Sequence, residues 1–262
     1  MFLVVVILVI LIPFFYFISV SFQPRNYVQT LTPNLSFTPT LDNYRKVFST
    51  LKFFLYFKNS IIICVFSTAI SLITGSFAAY TISRLKNKFT DHVAFWILTQ
   101  RMLPAIAVLI PIYLVMSRFA LLDTFPGMII VYSVLNLPYV VWMTKGFFDD
   151  IPAELDESAM LDGCTKIKII FGIVYPIAKP GLFATGVFVF VLSWSEFIFA
   201  LILSSMHTKT LPVAIASFVT DTGIEWNSMA AAGSVLIIPL TIMFFFVQKS
   251  LIRGLSFGAV KG

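Results

Sequence analysis

Long apolar stretches alternate with short polar ones along most of this chain. A helix needs roughly 20 apolar residues to cross a hydrocarbon core of about 30 Å, and six stretches reach that length. They are 2–22, 59–83, about 93–117, 124–144, about 181–206 and 226–248. The pattern predicts an all-α membrane protein with six transmembrane helices in a single domain, 1–262. Charges interrupt the spans at Arg101 in the third and Glu196 in the fifth, and Pro13, Pro104, Pro111, Pro138 and Pro239 fall inside spans. Prolines there free backbone groups that a cavity can use, or serve packing.

Composition supports the membrane reading. Apolar residues make up 59% of the 262 and charged residues 11%, against about 45–50% and 25% in soluble domains. Mean hydropathy is +0.95. The first stretch lacks the charged start and small-residue cleavage site of a signal peptide, so it is read as an uncleaved span. A short polar leader ahead of it is expected. The net charge of +6 suits Lys and Arg flanking spans rather than nucleic-acid binding. An even number of spans puts both termini on one side. Placing them in the cytoplasm with the 84–92 loop and the 145–180 segment collects Arg84, Lys86, Lys88, Lys145, Lys166, Lys168, Lys179, Lys249, Arg253 and Lys261 there. Arg25, Arg45, Lys46, Lys52, Lys58, Arg118 and Lys209 are left outside, in line with the positive-inside rule. Cys64 and Cys164 read as small packing residues, and no metal-ligand cluster or phosphate-cradling loop stands out.

The segment 149–180 breaks the apolar pattern with an ordered polar insert. Asp149-Asp150-Ile151-Pro152 suits a helix start, since Pro is tolerated at the first helical position. Glu154, Asp156 and Glu157 then complement the helix dipole, and Gly163 is placed to end the helix in a left-handed conformation. Leu155, Ala159 and Asp162 share a stripe by spacing, and the small Ser158-Ala159 pair admits another backbone. A second short helix is expected from about Thr165, stopped by Pro176 and Pro180, which turn the chain into the fifth span. An interfacial helix lying on lipid is the plainer alternative. Its acidic front half, Glu154, Asp156, Glu157 and Asp162, would be repelled by anionic lipid, which favours a protein partner.

The order Glu157-Ser158-Ala159, then Gly163, then Tyr175-Pro176 resembles the "EAA" loop of importer-type ABC transporter permeases, with Ser158 and Tyr175 as departures from its consensus. Supporting segments include Thr40-Leu-Asp-Asn43-Tyr44, Arg101-Met-Leu-Pro104, Leu121-Leu-Asp123-Thr124, Ser193-Trp194-Ser195-Glu196-Phe197 and the closing Gly258-Ala-Val-Lys-Gly262. The likeness is nearest to carbohydrate-importer permeases of the maltose and trehalose type. It implies the type I importer permease fold and a coupling helix around 152–163. Glu154, Glu157, Ser158, Ala159, Asp162, Gly163 and Pro176 become the candidates for contact with an ATPase. It also implies a second permease subunit, a dimer of ATP-binding subunits, an extracytoplasmic solute-binding protein and a carbohydrate substrate. ATP and magnesium would sit on the partner subunits, and this chain would be a non-catalytic, multi-pass subunit of the cytoplasmic membrane without a cofactor of its own.

Arg101, Trp194 and Glu196 are the candidates for the translocation path. Arg101 either faces an aqueous cavity or snorkels to the interface. Glu196 and Trp194 either meet a sugar or serve helix pairing and the aromatic belt. His207 and Lys209 open the outer loop before the last span, with Asp221, Glu225 and Trp226 near its end, and the resemblance turns this loop toward the binding protein. Three rivals stand beside the carbohydrate reading: a permease for another solute, an autonomous secondary transporter or channel, and a membrane-embedded enzyme. The last would need acids or histidines clustered at membrane depth.

Overall fold

Apolar runs with few backbone breakers become helices because every peptide group is then satisfied within its own segment. The computed structural model describes residues 2–24, 36–50, 52–221 and 223–258. Arg25, the polar stretch Thr32-Pro33-Asn34 and residues 259–262, including Lys261, lie outside them. The helices are α1 (Phe2–Ser21), α2 (Asp42–Thr50), α3 (Phe53–Arg84), α4 (Lys88–Thr99), α5 (Ala105–Arg118), α6 (Phe125–Asp149), α7 (Glu154–Leu161), α8 (Lys166–Ile169), α9 (Tyr175–Trp194), α10 (Ile198–Leu203), α11 (Leu211–Ala216) and α12 (Trp226–Gly258). A two-stranded hairpin pairs β1 (Val219–Thr220) with β2 (Gly223–Ile224) in antiparallel register.

Among the described residues, four helical segments are long and apolar enough to cross a membrane: Phe53–Arg84, Phe125–Asp149, Lys166–Trp194 and Trp226–Phe245. A fifth forms if α4 and α5 count as one broken span, and α1 adds a further apolar helix. The third stretch is therefore not one continuous helix. Its two arms meet at a bend of 100°, because a 3₁₀ turn over Gln100–Met102 ends α4 and Pro104 precedes the restart at Ala105. The fifth stretch also breaks, between α9 and α10, at residues 195–197. Pro176 and Pro180 do not stop a helix. Residues 170–174 form a π turn that runs from α8 into α9, and Pro176 falls in the first turn of α9, where its missing N–H goes unneeded.

Two units emerge from the packing. The first comprises residues 1–60 and 208–241. Here two buried asparagines satisfy the carbonyls left open at the end of α1. Asn43 donates to the carbonyls of Ser21 and Gln23, each at 2.9 Å, and Asn227 to that of Gln23 at 2.7 Å. Lys46 of α2 pairs with Glu225 at 2.6 Å, just ahead of α12, and the hydroxyl of Ser60 accepts the N–H of Leu211 at 2.8 Å.

The second unit comprises residues 61–207 and 242–262, and α6 against α9 is its principal helix pair. The two approach closely at Gly181, where an added Cβ would lie 2.4 Å from the Phe147 ring. Beyond α5, Ala120 and Asp123 adopt positive φ of 55° and 53°. This aims the Asp123 carboxylate at the chain leaving α10, where it accepts the N–H groups of Ser205, Met206 and His207 at 2.8, 3.0 and 3.0 Å.

Gly181→Ala should lower the thermal unfolding midpoint in detergent, since overpacking typically costs about 1–3 kcal/mol. Adding Phe147→Ala should recover part of that loss. An unchanged midpoint in Gly181→Ala would show that the α6–α9 seam does not depend on this approach.

Candidate functional site

The polar insert forms one end of the second unit. α6 ends at Asp149, Ile151 is buried, and the chain turns at Pro152 into α7. Two residues of α7 face inward, Asp156 and Ala159. This differs from the Leu155, Ala159 and Asp162 stripe expected from spacing, since Leu155 is 41% exposed and Asp162 is exposed as well. The inward face is set by a charge. Arg84, at the last position of α3, reaches Asp156 Oδ2 through Nε at 2.7 Å, and the Tyr80 hydroxyl donates to the same oxygen at 2.7 Å. The Arg84 Nη1 also donates to the carbonyl of Phe148 at 3.0 Å. Ser83 donates to Asp149 Oδ1 at 2.7 Å, and Lys145 pairs with the same carboxylate.

Beneath these polar groups lies an apolar cluster of Ala79, Tyr80, Phe148, Ile169, Ile170 and Val174. The Tyr175 ring stacks on Phe148 with an interplanar angle of 4°, and its hydroxyl meets Ser76 at 2.6 Å. Tyr175 thus gains a polar anchor on α3 that an aliphatic residue would lack.

α7 ends in a double hydrogen bond around a left-handed glycine. Gly163 has φ 79°, its N–H donates to the carbonyl of Met160 at 3.0 Å, and that of Cys164 donates to Ala159 at 2.9 Å. This pairing is the Schellman arrangement, which satisfies carbonyls a helix end leaves open. Outward lie Glu154, Leu155, Glu157, Ser158, Met160, Leu161 and Asp162, with Leu161 91% exposed. That face combines apolar side chains with carboxylates and has no cover among the described residues. Pro176 is exposed at the start of α9, apart from it.

The breaks in the third and fifth stretches frame a cavity of about 450 Å³. Its lining includes Gln100, Arg101, Tyr132, Asn136, Ser193 and Glu196. Arg101 sits in the turn between α4 and α5. Its guanidinium lies 3.9 Å from the centre of the Tyr139 ring and donates to the carbonyl of Leu135 at 3.0 Å and to the Tyr139 hydroxyl. Glu196 stands in the break before α10 and accepts the N–H of Phe199 at 2.8 Å. Asn136 donates to the Ser193 hydroxyl at 2.7 Å in a buried contact. The structure thus brings Arg101 and Glu196 to one cavity. Trp194 is 1% exposed, stacks on Phe190 and is not among the lining residues. Tyr132 and Asn136 escaped the sequence reading because neither carries a charge. A polar amide in mid-span is nevertheless a signal that was there to be used.

A family model described as the inner membrane component of binding-protein-dependent transport systems matches residues 71–257. The chain belongs to this family. Its members are permeases of ABC transporters, which are non-catalytic membrane subunits, and several apolar helices make this chain a multi-pass one. The trehalose/maltose transport system permease protein MalG of Thermococcus litoralis is 35% identical over 259 residues, covering 97% of this chain and 93% of the relative. The sulfoquinovosyl glycerol transport system permease protein SmoH of Agrobacterium fabrum is 35% identical over 225 residues, covering 86% of this chain and 79% of the relative. The fold is shared with a bacterial ABC transporter involved in import of the acidic polysaccharide alginate. That match has a TM-score of 0.78 at 24% identity and covers 95% of this chain and 93% of the other.

Nothing stands within 4 Å of where a Cβ would point at Gly163, so Gly163→Ala tests backbone strain alone. A left-handed non-glycine residue costs about 1–2 kcal/mol. Amide exchange of residues 160–164 should speed up roughly tenfold while exchange in α6 and α9 stays unchanged. Equal exchange at 160–164 would contradict the strain argument.

Proposed function

We propose that this chain is one of two permease subunits of an ABC importer for a carbohydrate or polyol, with α7 as the helix that meets the ATP-binding subunit. The observation that carries this reading is the outward face of α7. Leu155, Met160 and Leu161 are presented with Glu154, Glu157 and Asp162 on a helix whose other face is fixed by Arg84 and Ala159's neighbours. A helix docked on the inside and left apolar on the outside needs a protein partner, because a contiguous exposed apolar patch marks an interaction surface.

In this reading the chain crosses the membrane six times. α1, α3, the bent pair α4–α5, α6, α9 with its broken extension α10, and α12 are the spans. Both termini and α7 lie in the cytoplasm, where the flanking lysines and arginines favour them. ATP and its magnesium bind to the partner subunits. A solute-binding protein delivers the substrate to the opposite face, near the loops held by Asp123.

The relatives' named substrates, trehalose, maltose and sulfoquinovosyl glycerol, are all polyhydroxylated. The cavity at the two helix breaks suits such a solute. Arg101, Gln100, Asn136, Ser193, Tyr132 and Glu196 offer hydroxyl-recognising donors and acceptors within largely apolar walls, the usual make-up of a small-molecule site. Broken helices whose ends frame a solute site are a recurring device of transporters. Arg101 and Glu196 are assigned to the path on these grounds, and Trp194 is assigned to its packing.

Glu157→Lys reverses a charge on the exposed face of α7 without touching the inward contacts. ATP-dependent uptake of radiolabelled trehalose and maltose should fall at least about tenfold, equivalent to roughly 1.4 kcal/mol of lost docking, at unchanged levels of the chain in the membrane. Uptake equal to the parent would remove the coupling assignment. Uptake by the chain alone in vesicles, without ATP-binding subunits, would establish the autonomous-transporter alternative instead.

A further inference from the structure

The inward face of α7 makes an unusual choice for so short a helix. Of its eight residues, Asp156 and Ala159 are buried, and alanine supplies little apolar area. The grip is therefore mainly ionic. The side chains of Arg84 and Asp156 are 14% and 3% exposed. A buried pair of this kind is poor value as a stabiliser, since desolvating two charges can outweigh their attraction and an apolar replacement is often equal or better. This pair is also incompletely satisfied. Asp156 Oδ1 and Arg84 Nη2 are buried without a hydrogen-bond partner, although buried polar groups are nearly always paired.

What the pair does supply is direction. Arg84 is the last residue of α3, a helix of 32 residues, about 48 Å long at 1.5 Å per residue. Its Nε holds Asp156 and its Nη1 holds the carbonyl of Phe148 near the end of α6. One planar guanidinium therefore fixes three segments in a set geometry, which a flexible ammonium or an apolar contact would not do. Tyr80, one turn back on α3, adds a second donor to the same carboxylate oxygen. Ser83 and Lys145 bind the Asp149 carboxylate alongside. α6 in turn carries Tyr132, Leu135, Asn136 and Tyr139, which line the cavity at the two helix breaks.

We infer that Arg84 and Asp156 are positioning residues for energy coupling: the pair locks α7 to the ends of α3 and α6, so that movement imposed on α7 reaches both helices as one rigid body. This rests on α7 being the helix that the ATP-binding subunit moves.

The test uses the full transporter, reconstituted with its own ATP-binding subunits in a Cys164→Ser background. Cys64 is buried and is left in place. Spin labels are placed at Leu161→Cys on α7 and Thr81→Cys on α3, both exposed positions. Their distance is measured by pulsed electron spin resonance without nucleotide and with ATP plus vanadate. It should stay constant within about 2 Å, the scale of ordinary helix shifts. Asp156→Asn, which keeps the shape and removes the charge, should broaden the distribution and introduce a nucleotide-dependent shift of about 5 Å, one helical turn. Arg84→Lys should show a narrower distribution than Asp156→Asn, because it keeps the charge on Asp156.

A shift of that size in the parent transporter would overturn the proposal, as would an Asp156→Asn variant that behaves like the parent. A second pair, Leu161→Cys with Phe119→Cys at the far end of α5, separates the two readings. Nucleotide should change that distance. If it does not, the coupling reading fails and takes the joint with it. If it does while the 161–81 distance also changes, only the joint fails.

Discussion

The contact between Arg84 and Asp156 decides how the polar insert becomes part of a membrane-spanning bundle. A helix of eight residues is too short to hold itself together in water, and its inner face offers little area to bury. A charge at the end of a long transmembrane helix supplies the anchor instead. Arg84 is also well placed electrostatically, since a cation at a helix C-terminus is favoured by the helix dipole. Everything on the outward face of α7 then follows from its inward side. Once Asp156 and Ala159 point in, Leu161 must point out, and Glu154, Glu157 and Ser158 share the exposed surface.

The same economy appears at the two helix breaks. Arg101 and Glu196 are expensive residues at membrane depth, and each sits where the backbone is already irregular. Arg101 satisfies its guanidinium on the ring of Tyr139 and the carbonyl of Leu135, and Glu196 caps the restart at α10. Each charge therefore repairs the break it occupies while lining the cavity that the break opens. A structural role and a role in the path are compatible for both residues.

Much of this architecture was legible in the sequence. The apolar stretches locate the long helices, Gly163 marks the end of α7, and Glu157-Ser158-Ala159 with Gly163 and Tyr175-Pro176 points to the family. The failures have physical causes. Spacing groups Leu155, Ala159 and Asp162 on one stripe, of which Ala159 alone turns inward, beside Asp156. The actual determinant, Arg84, lies 72 positions away from Asp156 in the chain, and no local pattern reports so distant a partner. Pro176 and Pro180 were read as stops because a proline usually ends a helix, yet the π turn before α9 places Pro176 where its missing donor goes unneeded. The bend of 100° between α4 and α5 has its local signal in Pro104, whereas the contact of Arg101 with the Leu135 carbonyl on α6 joins distant positions that no local pattern reports.

The central claim is that the outward face of α7 is received by an ATP-binding subunit. Its most direct test is disulfide cross-linking from Leu161→Cys, a residue of α7 that is 91% exposed, to cysteines introduced one at a time on the cognate ATP-binding subunit. The account predicts a cross-linked permease–ATPase pair from position 161 and none from Phe119→Cys at the far end of α5. A cross-link to the ATPase from position 119, with none from 161, would contradict it.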